Sequence, residues 1–224
     1  MYSEKSSNPN SKNFDMRDEI TKAAEILFNG GVVAAPTETV YGLLADATSI
    51  SAIDKVRMLK GKPKDSPIPL FVPPSAELSR LLSPVPTVLN AIERNFLPGP
   101  LLVVAKPSKM LTNLPVCIGD KIGIRKSSAP VINKLLKQTG MFLTATSANR
   151  HGQKPAISAL QIIESFKTTE LYVIDNDSKT ELSGKPSTVI EVKEGEIIIL
   201  RQGDISASEI ERAVGNYDMK IRIC

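Results

Sequence analysis

The sequence has no tryptophan, one histidine and two cysteines, and aromatic residues make up only 4% of it. So few flat rings argue against the stacking platforms that hold single-stranded nucleic acid. A lone His151 argues against a histidine-rich metal centre and against a Ser-His-Asp triad. Cys117 and Cys224 fit no CxxC spacing, so no disulfide framework is expected; they and His151 read as structural or incidental. No apolar run approaches the ~20 residues that cross a bilayer, and the polar opening MYSEKSSNPNSKNFD lacks the apolar core of a secretory signal. A cytoplasmic protein with no membrane partner is the expectation. GxxxxGK[ST] is missing, and no GxGxxG follows a strand. Asp175-Asn176-Asp177 lacks the glycine and distal glutamate of a calcium loop.

What is present suits a globular α/β chain. Twenty-eight Lys and Arg against 24 Asp and Glu leave a net charge of +4, too small to point to nucleic acid but compatible with acidic ligands. Residues 1–14, rich in Ser, Asn and Lys, read as a disordered tail. Residues 15–224 then form a single domain. A first helix begins at Met16, with Ile20, Ala23, Ala24, Leu27 and Phe28 on one face and Gly30-Gly31 as its stop. Val32–Ala35 is apolar on both faces, as in a covered sheet, and breaks at Pro36. Ser51 with Asp54 marks a helix start running toward Gly61. Further strands are predicted over residues 67–72, 101–105, 121–126, 141–146 and 171–174, with helices over 76–82 and 88–97 and from Pro130 to Gly140. Ser158/Gln161 and Ser206/Glu209 match the capping box, with Ile157/Ile162 and Ile205/Ile210 as hydrophobic staples. Thr188–Val192 and Ile197–Arg201 form a hairpin through Glu194-Gly195. Helices and strands alternate throughout, which predicts a mixed α/β sheet flanked by helices.

The ends of these elements carry cations and hydroxyls. Thr37 and Thr39 follow the first strand, Lys60 and Lys62 follow a helix, and Arg125 lies late in a strand. Ser147 and Asn149 follow another strand, Ser187 and Thr188 open the hairpin, and Arg201 closes it. Converging, they would form a pocket with up to four cations and many neutral donors, suited to a triphosphate and a carboxylate held together. Plainer readings exist for each: the lysines complement a helix dipole, the threonines form a turn after proline, and Arg201 simply ends a strand.

Seven segments, APTETVYGL, LKGKP, LPGPLLVV, GIRKSS, TATSAN, PSTVIEV and ILRQG, occur in the order of the motifs of the YrdC-like threonylcarbamoyl-AMP synthases. Over residues 16 to about 205 the chain resembles that family. The resemblance implies an α/β twisted sheet with a basic concave surface. It implies a nucleotidyltransferase that converts L-threonine, bicarbonate and ATP to threonylcarbamoyl-AMP and pyrophosphate, for threonylcarbamoyladenosine in tRNA. It places threonine contacts at Thr39, Phe71, Arg125, Ser147 and Ser187. Nucleotide contacts fall on Lys62, Ser66, Lys121, Ala145, Asn149, Pro155 and Arg201, with Lys60 the other basic member of its turn. Ala145 and Pro155 would act through their backbones. The family's lysine-x-arginine turn is Lys60-Gly61-Lys62 here, Ser66 replaces an asparagine, and Phe71 replaces a histidine. Longer members add a C-terminal domain, for which this chain is expected to be too short.

The residues suit such chemistry. Once an amine has taken up carbon dioxide or bicarbonate, the carbamate oxygen attacks the α-phosphorus, a transfer that needs positioning and charge more than a protein nucleophile. Lys60, Lys62, Arg125, Ser147 and Asn149 are the catalytic candidates. Mg²⁺ is expected to be held mainly by the ATP phosphates, with no dedicated metal site. A downstream threonylcarbamoyl-transferase complex would take the product. Two alternatives are a double-stranded RNA or tRNA-binding module without catalysis, and carbamoyl-adenylate chemistry on another acceptor.

Overall fold

The computed structural model describes residues 16–83, 87–167, 171–175 and 181–224. The predicted tail and most of Asp175-Asn176-Asp177 lie outside the described residues. In chain order the elements are α1 (Met16–Phe28), β1 (Val32–Pro36), β2 (Tyr41–Leu44), α2 (Ile50–Lys60), β3 (Leu70–Phe71), α3 (Leu78–Leu81), α4 (Val88–Phe96), β4 (Leu101–Ala105) and β5 (Ile122–Arg125). There follow α5 (Pro130–Thr139), β6 (Leu143–Thr144), β7 (Thr146–Ser147), α6 (Ala159–Phe166), β8 (Leu171–Val173), β9 (Thr188–Lys193), β10 (Glu196–Arg201), α7 (Ala207–Val214) and β11 (Lys220–Ile223). The α/β class holds, but the strands form two mixed sheets instead of one: β7-β2-β1-β8 and β11-β10-β9-β4-β5-β3-β6. No helix among the described residues is long and apolar enough to cross a membrane.

β1 shows why its sequence is apolar throughout. Val33 and Ala35 join the core formed with Ile20, Ala23 and Leu27 of α1 and Val131, Ile132, Leu135 and Leu136 of α5. Val32 and Ala34 face the larger core on the other side. A strand covered on both faces cannot alternate in polarity.

Several boundaries differ from the predicted ones. Ser49, not Ser51, caps α2 by accepting from Ala52 N at 3.3 Å. Asp54 pairs with Arg57 instead, at 3.3 Å. In α6, Ser158 Oγ accepts from Gln161 N, but the Gln161 side chain reaches one residue further back, to Ile157 N. Ile157 remains 49% exposed while Ile162 is buried, so the predicted staple does not close. The Ser206/Glu209 box is complete in both directions, and Ile205 and Ile210 are both buried. β2 and β11 are strands that the sequence pattern did not mark.

Strand register positions the site. Phe71 lies opposite Arg125, Arg125 opposite Leu102, Leu102 opposite Val189 and Val189 opposite Arg201. Register partners share a face of the sheet, so these five form one row. Leu70, Ile124, Val103 and Ile190 point the other way, into the main core.

Candidate active site

A cavity of about 510 Å³ opens over this row. The turn from Thr37 to Gly42 and the segment from Ala145 to Asn149 bound it from the smaller sheet's side. Its polar lining is cationic or neutral, with no carboxylate among the lining residues.

Arg125 is held at one end. One terminal nitrogen, Nη2, donates to Glu38 Oε1 at 2.8 Å and to Thr39 Oγ1 at 2.9 Å. The guanidinium carbon sits 5.3 Å from the centre of the Phe71 ring, a cation–π contact. The second Glu38 oxygen accepts from Ser127 Oγ. Among the described residues, Arg125 Nε and Ser187 Oγ have no hydrogen-bond partner and are closed off from solvent, a cost of about 1–3 kcal/mol for each such atom.

Thr37 Oγ1 donates to Val40 O at 2.6 Å and accepts from the N–H groups of Thr39 and Val40. It lies 2.9 Å from Thr39 Oγ1, which accepts from Arg125.

At the other end Gly61 caps α2 in the left-handed region at φ 64, where glycine carries no Cβ penalty. That turn separates two lysines with different surroundings. Lys60 is 2% exposed, and its ammonium donates to Ser147 O and, at 3.1 Å each, to Asn149 O and Oδ1. Burial, and then the charge of Lys62, push Lys60 down to about 7. Lys62 is half-buried, lines the cavity, and among the described residues has no ion pair or side-chain hydrogen bond. Asn149 is fully committed: Oδ1 accepts from Ser147 Oγ at 2.6 Å as well as from Lys60, and Nδ2 donates to Arg150 O and Gln153 O.

Arg201 donates through Nε and Nη2 to Ser187 O at 3.2 and 2.8 Å. Desolvation, and then the charge of Arg125, hold Arg201 below the usual arginine range. The two guanidiniums therefore share one field across the row. Lys121, at the rim, pairs with Glu191 at 2.6 Å, and that carboxylate also meets Lys193 at 3.4 Å. The hydrogen bond that Lys121 donates to Glu191 raises Lys121 above its ordinary value.

A family model described as Sua5_yciO_yrdC, telomere recombination, matches residues 25–203. The chain belongs to the Sua5/YciO/YrdC family. A threonylcarbamoyl-AMP synthase of Pyrococcus abyssi is 31% identical over 88% of this chain, which spans only 57% of that relative's length. One from Halorhodospira halophila is 33% identical over 66% of this chain and 78% of its own. Among solved structures, Pyrococcus abyssi Sua5 complexed with L-threonine superposes with a TM-score of 0.79 at 29% identity, covering 94% of this chain and 60% of that one.

In this family member the cavity brings together Thr39, Lys60, Lys62, Phe71, Lys121, Arg125, Ala145, Ser147, Asn149, Ser187 and Arg201. Ser66 and Pro155 do not line it. Ser66 closes the turn after α2, its N–H donating to Pro63 O and its carbonyl accepting from Arg57 Nη2. His151, set aside in the sequence, is among the lining residues. Glu38 and Ser127, which fix Arg125 from behind, were missed. The one available signal for Glu38 was a carboxylate flanked by two threonines.

Proposed function

We propose that this chain forms threonylcarbamoyl-AMP and pyrophosphate from L-threonine, bicarbonate and ATP. The observation that carries the reading is one hollow of about 510 Å³ lined by Lys60, Lys62, Lys121, Arg125 and Arg201 with no carboxylate among its lining residues. Arg125 grips the amino acid's carboxylate, and Ser187 completes a hydrogen bond beside it. Thr39 and Phe71 shape the same end. Lys62 and Arg201 neutralise the phosphates, joined by Lys121 when it leaves Glu191. The backbone at Ala145 borders the nucleotide side.

The amine nitrogen bonds to the carbon of carbon dioxide, formed as bicarbonate loses hydroxide, and releases a proton to give a carbamate. A carbamate oxygen then attacks the α-phosphorus, and the bond to the β-phosphate oxygen breaks with pyrophosphate as leaving group. Such a transfer needs alignment and charge compensation and no covalent intermediate on the protein. Glu38 and Glu191 are each committed to cationic or hydroxyl partners, so magnesium is proposed to enter on the triphosphate. The product would pass to a transferase complex that modifies tRNA in the cytoplasm.

Pyrophosphate release should require L-threonine and bicarbonate together, and mass spectrometry should find threonylcarbamoyl-AMP. Release that ignores either substrate, or salt-sensitive RNA retention without turnover, would overturn the reading.

A further inference from the structure

We infer that Lys60 and Asn149 are positioning residues that fix the Ser147 hydroxyl as a hydrogen-bond acceptor for the substrate's nitrogen. The inference rests on the function proposed above and assigns these two residues a role other than contact with ATP. In its charged form the Lys60 amine has three protons and no lone pair. All three Lys60 donors have acceptors, in Ser147 O, Asn149 O and Asn149 Oδ1. With the side chain only 2% exposed, none is left to reach a phosphate.

Two carbonyls settle which way the Asn149 amide faces: Arg150 O and Gln153 O can only accept, so the atom beside them is Nδ2, and Oδ1 faces Lys60 and Ser147. Ser147 Oγ, 2.6 Å from that Oδ1, has to spend its single proton there. What Ser147 shows to the cavity is lone pairs alone. It can take a hydrogen bond from an amine or ammonium, and it cannot donate one to a carboxylate or phosphate oxygen. An acceptor at this point orients the nitrogen by its N–H bonds and turns its lone pair toward the carbon it must attack. The chain Lys60 to Asn149 to Ser147 thus sorts the two ends of an amino acid, with Arg125 as the donor for the other end.

The test is a pair of double-mutant cycles read as KM for L-threonine and, separately, KM for ATP. Ser147→Ala, Asn149→Ala and Lys60→Met are each expected to raise the threonine KM roughly ten-fold, the scale of losing one hydrogen bond to a charged group. The ATP KM should move less than about two-fold. In the Ser147→Ala background, adding Asn149→Ala or Lys60→Met should cost little more, because the group they act through is already gone. Circular dichroism and melting identify any variant that fails to fold, and calorimetric threonine binding to the Ser147→Ala and Asn149→Ala proteins repeats the comparison without turnover. Multiplying effects within the cycle, or a rise confined to the ATP KM, would overturn the inference and return Lys60 to the phosphates. Wild-type protein showing no threonine-dependent pyrophosphate release would instead fell the proposed function, before any variant is compared, and this inference with it.

Discussion

Gly203 leaves no room for a methyl group. A Cβ there would lie 2.0 Å from Pro186 O and 2.5 Å from Ser187 C. Thr188 Oγ1 clips the same crossing by accepting from Gly203 N and Ile205 N. Gly203→Ala is expected to cost about 1–3 kcal/mol of stability and to weaken substrate binding by displacing Ser187, read by denaturant titration and by threonine KM. Lys60 gives a second prediction at this scale. Because it is held near 7 in the fold against 10.5 ordinarily, the unfolded chain binds more protons between those values. Its contribution to stability is therefore complete above about pH 10.5 and is lost as pH falls through 7. Denaturation of the wild type should gain up to about 1.4 kcal/mol per pH unit over Lys60→Met in that window. The cations of the site were legible in the sequence because they stand at element ends. What each does was not: Lys60 and Lys62 both line the cavity two residues apart, yet the Lys60 amine is tied to Ser147 O, Asn149 O and Asn149 Oδ1 and Lys62 has no such ties among the described residues.

Helices with complete local signals behaved as their sequences read. α7 has its capping box and a buried staple, and Ser206→Ala is expected to cost about 1 kcal/mol, measured as a lower melting midpoint with activity unchanged. α5 opens on Pro130 and closes at Gly140 in the left-handed region, as its sequence implies. Strands were harder to read, for a physical reason. β2, which pairs with the neighbouring β1, is buried along all of Tyr41–Leu44 and so shows no alternation, while β7 is a two-residue ladder, Ser147 with Gly42 and Thr146 with Leu43. The predicted strand over residues 141–146 became two, β6 and β7. The alternation rule identifies a strand but does not say which sheet receives it.

For the molecule as a whole, ligand should act as a folding partner. On the function proposed above, L-threonine alone at about 100 times its Kd should stabilise the chain by about 2.7 kcal/mol. That corresponds to a rise in Tm of several degrees by scanning fluorimetry, much reduced in Arg125→Ala. Membership of the fold class was legible because both cores recruit continuous apolar runs. The division into two sheets was not, since it turns on a single residue. Ala145 separates β6 in the larger sheet from β7 in the smaller and donates its N–H to Pro69 O at 2.7 Å. That crease joins the cavity's two walls through one unbroken thread of chain that leaves no slack between them, so a displacement of either wall is passed directly to Ala145 and its neighbours at the cavity's edge.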